Sequence, residues 1–192
     1  MMIRIAVVGE IGSGKTYIAR LFGLPVFNAD NEVADIYKKD KTVYRKLRLK
    51  LPKYILTFPI KKKQIGEAIK KNPNNIKIIT KIIHPIVRKR MSKFLKKNNK
   101  KKGVVLDIPL YFENNLHKKR DIVVFISSKR RLINLALKKR KKSNLKLLKK
   151  LRKLQHSLDI KKKRSNYVIY NNFKSHFIRK KVNIIRKEIF KK

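Results

Sequence analysis

Gly9-Glu10-Ile11-Gly12-Ser13-Gly14-Lys15-Thr16 fits the pattern G-x-x-x-x-G-K-[ST], and each fixed residue type in it has a mechanical task. Glycines let the backbone curl round an anion with its N–H groups turned inward. Lys15 sets a point charge where the β- and γ-phosphates of a nucleotide would lie, and the Thr16 hydroxyl suits Mg²⁺. A helix opening at Lys15 adds its positive N-terminal end. The flanks agree. Residues 3–8 ahead of the turn are an apolar run of the kind that forms a buried strand. Residues 15–22 behind it predict a helix with Ile18, Ala19 and Phe22 on one face. An ordinary glycine turn has no need of Lys-Thr at its end, so nucleoside triphosphate binding is the firmest inference. Glu10 is out of place beside an anion. Its carboxylate is expected to point outward or to be offset by a cation.

Working outward, residues 25–28 read as a second short strand and 32–38 as a short helix with Val33, Ile36 and Tyr37 inward. Residues 103–107 predict a buried strand ending in an acid, 122–126 another, and 167–170 a last one. Residues 129–142 and 145–158 are basic amphipathic stretches meeting near Ser143-Asn144, and 173–190 predict a C-terminal helix. Residues 39–102 carry no strand pattern. Helical spacing appears around 65–69 and 76–95, with breaks expected at Pro52, Pro59, Pro73 and Pro85. Short buried strands alternating with helices predict an α/β fold with a parallel sheet covered on both faces. The expected organisation is a core of residues 1–38 and 103–192, with a mainly helical lobe over about 39–102.

Composition narrows the class. The chain has 192 residues, 55 Lys+Arg against 11 Asp+Glu, and a formal net charge of +44. A hydrophobic fraction of 42% supports a core, which argues against wholesale disorder. The absence of cysteine removes disulfides, thiolate metal sites and a Cys nucleophile. No apolar run approaches the ~20 residues of a membrane span, and the first residues are too soon interrupted for a secretory signal. A soluble, cytoplasmic protein is expected. Basic residues are spread along the chain, with clusters at 61–63, 96–102, 138–142 and 149–153, amid abundant Ile and Asn. That spread reads as a solvated basic surface rather than a specific nucleic-acid site. In a chain so poor in acids, Asp30, Glu32, Asp107 and Glu113 beside turns or strand ends call for a reason.

In open parallel sheets, ligands gather at the carboxyl ends of strands. Asp30 closes the second strand there, where a carboxylate either orients or deprotonates an acceptor hydroxyl or caps the next helix. Residues 104–107 form the hydrophobic-run-plus-Asp pattern of a Walker B strand, so Asp107 binds Mg²⁺ through water, meets a substrate group, or serves as a cap. The basic stretches around Arg140 are either a lid bringing positive charge over a transferred phosphoryl group or a solvated face.

Further segments carry a family resemblance. Residues 11–16 resemble the IGSGKS loop of the dephospho-coenzyme A kinases. Phe27-Asn28-Ala29-Asp30 resembles their strand end v-x-[DN]-A-D. Ile83-His84-Pro85-Ile86-Val87-Arg88 resembles I-x-H-P-x-[IV]-R. Residues 106–113, Leu106-Asp107-Ile108-Pro109-Leu110-Tyr111-Phe112-Glu113, resemble L-D-[IV]-P-L-L-[FY]-E, and Asn166-Tyr167-Val168-Ile169-Tyr170-Asn171 resembles A-D-x-V-I-x-N. Arg140 and Gln155 match a lid Arg and a later Gln. The match is collinear over nearly the whole chain. The loop is generic to many enzymes, whereas the HPxxR and DxPLxFE segments in this order are far more specific.

The resemblance implies a P-loop kinase fold with a five-stranded parallel sheet flanked by helices, a helical coenzyme A lobe and a lid over about 138–158. It implies transfer of phosphate from ATP to the ribose 3′-hydroxyl of dephospho-coenzyme A, giving coenzyme A and ADP, with Mg²⁺. The implied catalytic residues are Asp30, Lys15 and Arg140. ATP is held by Gly12, Ser13, Gly14, Lys15, Thr16 and Tyr17, and the acceptor by Asp30, His84, Arg88, Asp107 and Pro109. Thr16 and Asp107 hold the metal. No specific nucleic acid and no membrane partner is expected, and the enzyme is expected to be a monomer or weak oligomer. The chain departs from the pattern at Tyr17, where Thr is usual, so only its backbone N–H remains for the α-phosphate. It departs also at Glu10, Asn166 and Leu151, with Arg152 as a substitute for the last. The rivals are another P-loop kinase acting on a nucleoside or nucleotide and, more distantly, a basic nucleic-acid-binding NTPase.

Overall fold

Short, mostly apolar runs become the strands of a sheet covered on both faces. In the computed structural model, which describes residues 2–139 and 157–191, there are five: β1 (Ile3–Gly9), β2 (Val26–Asn28), β3 (Gly103–Asp107), β4 (Ile122–Ser127) and β5 (Tyr167–Tyr170). They form one sheet in the order β2-β3-β1-β4-β5, and every pair is parallel. β1 is central, so the turn after it opens between β3 and β4, where the strand order changes direction. Register aligns the strand ends: Val7 lies opposite Asp107 and Val124, and Asn28 opposite Asp107.

The chain divides into two units. The first comprises 1–28 and 98–192, and contains the sheet with α1 (Lys15–Leu21), α6 (Arg130–Lys139), α7 (Leu158–Lys163) and α8 (Ser175–Lys191). Ile178, Val182, Ile185 and Ile189 recur at helical spacing on α8 and are buried against Ile18, Ala19 and Phe22 and the sheet residues Ile5, Val7, Val105, Val124 and Ile126. Each such side chain contributes roughly 1.5–3 kcal/mol on burial. Beyond Lys139, the expected helices and the candidates Arg140, Leu151, Arg152 and Gln155 lie outside the described residues.

The second unit, 29–97, is all helix: α2 (Ala29–Lys39), α3 (Lys41–Lys50), α4 (Lys62–Lys71) and α5 (Asn75–Lys97). Asp40 caps α3 by accepting from the Val43 N–H at 2.9 Å. Arg90 of α5 reaches both Glu32 (3.0 Å) and Asp35 (2.8 Å) of α2, fixing those two helices together. Two expectations fail here. α2 begins at Ala29 rather than Glu32, so Asp30 sits inside its first turn and is not its N-cap. Pro85 lies within α5 and does not break it. An interior proline costs about 3 kcal/mol. Burial of Ile79 and Ile83 before it and the Arg90 ion pairs after it hold both halves of α5 against the unit, which offsets that cost.

Among the described residues, one charged side chain is wholly buried. Lys161 of α7 is 0% exposed, and its Nζ lies 2.7 Å from Glu113 Oε1. Removing one partner leaves the other charged and dry. Lys161→Met is expected to destabilise the protein by roughly 3–5 kcal/mol, and a further Glu113→Gln to recover much of that. Denaturant midpoints of the single and double variants check this. A Lys161→Met variant as stable as the parent would contradict the pairing.

Candidate active site

The loop between β1 and α1 is shaped by backbone that only glycine takes easily. Gly9 has φ +143°, and a Cβ there would lie 2.4 Å from the Ile126 carbonyl oxygen of β4. Gly14, at φ +92°, caps α1, and a Cβ there would stand 2.3 Å from Asn171 Nδ2. That amide donates to the Ser13 carbonyl at 2.8 Å, while Asn171 Oδ1 accepts from the Phe173 N–H at 2.8 Å. The segment after β5 therefore clamps the loop from outside. Asn171 belonged to a recognised segment, yet its role was not legible in the sequence. The only signal was a polar residue directly after a buried strand.

Lys15 is almost buried and folds back across its own loop, donating to the carbonyls of Gly9 (3.2 Å) and Glu10 (2.9 Å). The ammonium is thereby held inside the ring of backbone. Glu10 is offset by a cation, as its position demanded. Arg130, at the start of α6, meets its Oε1 at 3.0 Å.

At the ends of β2 and β3 a third group assembles. Asp107, 2% exposed, accepts on one oxygen, Oδ2, from the Thr16 hydroxyl (2.6 Å) and from the Asn28 amide (2.5 Å). A threonine oxygen ligates a hard cation through a lone pair, so its proton must be taken elsewhere, and Asp107 takes it. Mg²⁺ in a phosphate site needs only one or two protein oxygens besides phosphate and water. The pair Thr16–Asp107 has that donor chemistry. Asn28 is a functional residue that the sequence reading did not single out; the register opposite Asp107 is what gives it this place.

The remaining candidates are placed as follows. Tyr17 turns its hydroxyl to Ser175 Oγ, 2.7 Å away. Pro109 is half-buried in the turn after β3. In the helical unit, Asp30 is exposed in the first turn of α2, where a carboxylate suits the helix dipole. His84 and Arg88 share a groove on α5 with Lys77, Thr80, Lys81 and Pro85. Burial, and then the nearby Arg88 charge, push His84 below the usual histidine range, so the imidazole stays neutral there. An anion entering that groove would meet Lys and Arg charges. The sheet unit thus brings together Lys15, Thr16 and Asp107, and the helical unit brings together His84 and Arg88. Arg140 lies outside the described residues.

The family model for dephospho-CoA kinase matches residues 3–176. A dephospho-CoA kinase of Agrobacterium fabrum is 34% identical over 132 residues, covering 66% of this chain and 67% of that one. One from Bacillus licheniformis is 32% identical over 181 residues, covering 90% and 89%. A solved dephospho-CoA kinase from Campylobacter jejuni covers 98% of both chains with a TM-score of 0.66 at 21% identity, a likeness of fold. The chain therefore has the expected α/β P-loop kinase fold. Among the described residues, no helix is long and apolar enough to cross a membrane.

The Glu10–Arg130 pair generates a prediction. Removing Arg130 takes this ion pair from a largely buried carboxylate in the loop. Arg130→Gln is expected to weaken ATP binding about tenfold, and Glu10→Gln added to it to restore or improve on the parent affinity. Calorimetric titration of the four proteins with ATP reads this directly, and equal affinities throughout would show the pair to be irrelevant to the loop's charge.

Proposed function

The chain belongs to the dephospho-CoA kinase family, transferases that phosphorylate dephospho-CoA in the last step of coenzyme A biosynthesis, and we propose that it transfers the γ-phosphoryl group of ATP directly to the ribose 3′-hydroxyl of dephospho-CoA. The observation that carries this reading is the assembly of Lys15, Thr16, Asn28 and Asp107 at the carboxyl end of three adjacent parallel strands. It is a phosphate cradle with a cation position beside it.

The residues then divide the work. Backbone N–H groups of Gly12, Gly14 and Tyr17, the Lys15 ammonium, and Ser13, whose own N–H donates to the Glu10 carbonyl in this structure, hold the triphosphate. Thr16 and Asp107 would hold Mg²⁺, which when bound would supply positive charge against the phosphate oxygens. Asp30 accepts a hydrogen bond from the 3′-hydroxyl and takes its proton as the new O–P bond forms and the bond to the β-phosphate oxygen breaks. Asp30 follows Asn28 by two residues along the chain, and its exposure leaves it accessible to an acceptor. His84, Arg88 and Pro109 bind the acceptor, with Asp107 beside it, and Arg140 closes over the γ-phosphate; these roles are carried by the resemblance of their segments. A neutral His84 beside Arg88 suits a site where imidazole accepts or donates a hydrogen bond while the guanidinium meets an anion. In our reading the enzyme works in the cytoplasm as a monomer or weak oligomer, with no specific nucleic-acid partner.

Loss of a positioned general base costs about 10²–10⁴-fold in rate. Asp30→Asn is expected to lower kcat by that order while the KM for ATP changes little. A coupled assay of ADP release with dephospho-CoA, the product mass confirmed as coenzyme A, measures it. Near-normal turnover in Asp30→Asn would overturn the base assignment. Faster turnover with a nucleoside or nucleoside monophosphate would favour the other P-loop kinases.

A further inference from the structure

Tyr17 departs from the family pattern, and the structure shows where its side chain goes. It is the third residue of α1, directly after Lys15-Thr16, so its backbone N–H is one of the first-turn donors that no helical carbonyl satisfies. A short hydroxyl residue at this position keeps its oxygen beside that N–H. A tyrosine carries its oxygen to the far end of a ring. Here the oxygen lies 2.7 Å from Ser175 Oγ at the start of α8. Ser175 Oγ also accepts from Arg179 Nε at 3.2 Å, one turn further along α8. The Ser175 hydroxyl, and then the nearby Arg179 guanidinium, pull the phenol below its usual range.

The cluster lies at the mouth of the loop. The segment leading into α8 is the one that clamps the loop through Asn171, and Phe173 Cε1 lies 3.8 Å from where a Gly14 Cβ would stand. All of these groups sit in the sheet unit. Tyr17, Ser175 and Arg179 are exposed, and exposed pairs of this kind contribute little to stability. They do hold a long, flexible side chain in one place. Lys15 serves the inner phosphates, which leaves the phosphate nearest the nucleoside with backbone amides and no charge from the loop itself. A guanidinium with a fixed Nε keeps two Nη groups for a phosphate oxygen.

We propose that Arg179 is a nucleotide-binding residue, positioned by Ser175 and Tyr17 to pair with the α-phosphate of ATP. The inference rests on the reading that the loop holds ATP and is independent of the acceptor's identity. It makes the tyrosine a substitute for the missing short hydroxyl: instead of touching the phosphate itself, it helps to deliver a cation there.

The test is calorimetric titration of the parent, Arg179→Gln, Arg179→Lys and Tyr17→Phe with ATP and ADP, together with turnover of the two α-phosphorothioate diastereomers of ATP. Arg179→Gln is expected to raise the Kd for ATP and for ADP alike by about 5–10-fold. Its kcat should stay within about twofold, and its preference between the diastereomers should shrink. Arg179→Lys should recover part of the affinity, and Tyr17→Phe should fall between parent and Arg179→Gln. Thermal melting of the nucleotide-free variants should match the parent, which separates a lost contact from a loosened fold. Parent-like affinity of Arg179→Gln for both nucleotides, or an unchanged diastereomer preference, would overturn the proposal. A parent that binds ATP yet leaves dephospho-CoA untouched would refute the acceptor reading and leave this one standing. A parent that fails to bind ATP would refute both.

Discussion

One carboxylate oxygen, Asp107 Oδ2, accepts two hydrogen bonds at once, from the Thr16 hydroxyl and from the Asn28 amide. Those residues come from the loop after β1 and from the end of β2, and Asp107 itself ends β3. The junction therefore holds only if three strands stop at the same level. Parallel pairing puts Val7 opposite Asp107 and Asp107 opposite Asn28, so register alone delivers the side chains to one point. A one-residue slip would turn Asp107 to the opposite face of the sheet and leave Thr16 and Asn28 without their shared acceptor. The same bond gives Thr16 its orientation: a hydroxyl whose proton is held by a carboxylate turns its lone pairs the other way. Sheet topology and cation chemistry are thus one constraint.

The acids elsewhere follow a similar logic. In a chain of net charge +44, self-repulsion opposes compaction, and a carboxylate placed among cations relieves it locally. Five of the eleven are paired with cations inside the fold. Glu113 meets Lys161, Asp121 meets Arg4, and Glu10 meets Arg130. Glu32 and Asp35 share Arg90. Each pair joins elements distant in sequence. The Arg4–Asp121 bridge also includes the Tyr111 hydroxyl, which donates to Asp121.

The sheet was legible because its strands are short, mostly apolar and bounded by turn residues. Residues 103–107 and 167–170 form strands with the bounds that their apolar runs predict. The loop was legible because G-x-x-x-x-G-K-[ST] names its own geometry. Less visible were features created by tertiary contact. Asn28 and Asn171 are ordinary polar residues until register and chain return bring them to Asp107 and to Ser13. Pro85 reads as a helix breaker because local rules count the lost hydrogen bond and not the burial of Ile79 and Ile83 on the same helix. Lys161 looks like one more surface lysine among many. Only its burial against Glu113 sets it apart, and no local signal distinguishes it from Lys162 and Lys163.

The loop is gripped on several sides by groups that the fold brings from a distance. Asn171 holds the Ser13 carbonyl from β5, Arg130 holds Glu10 from α6, and the Ile126 carbonyl of β4 closes on Gly9. Those contacts fix the shape of the loop in advance, so little of its ordering cost would be left to a binding step. The same grip helps to hold Lys15, whose nearly buried ammonium donates to the carbonyls of Gly9 and Glu10. Carbonyl dipoles orient a cation without cancelling its charge, so the loop fixes the place of this ammonium by its own backbone.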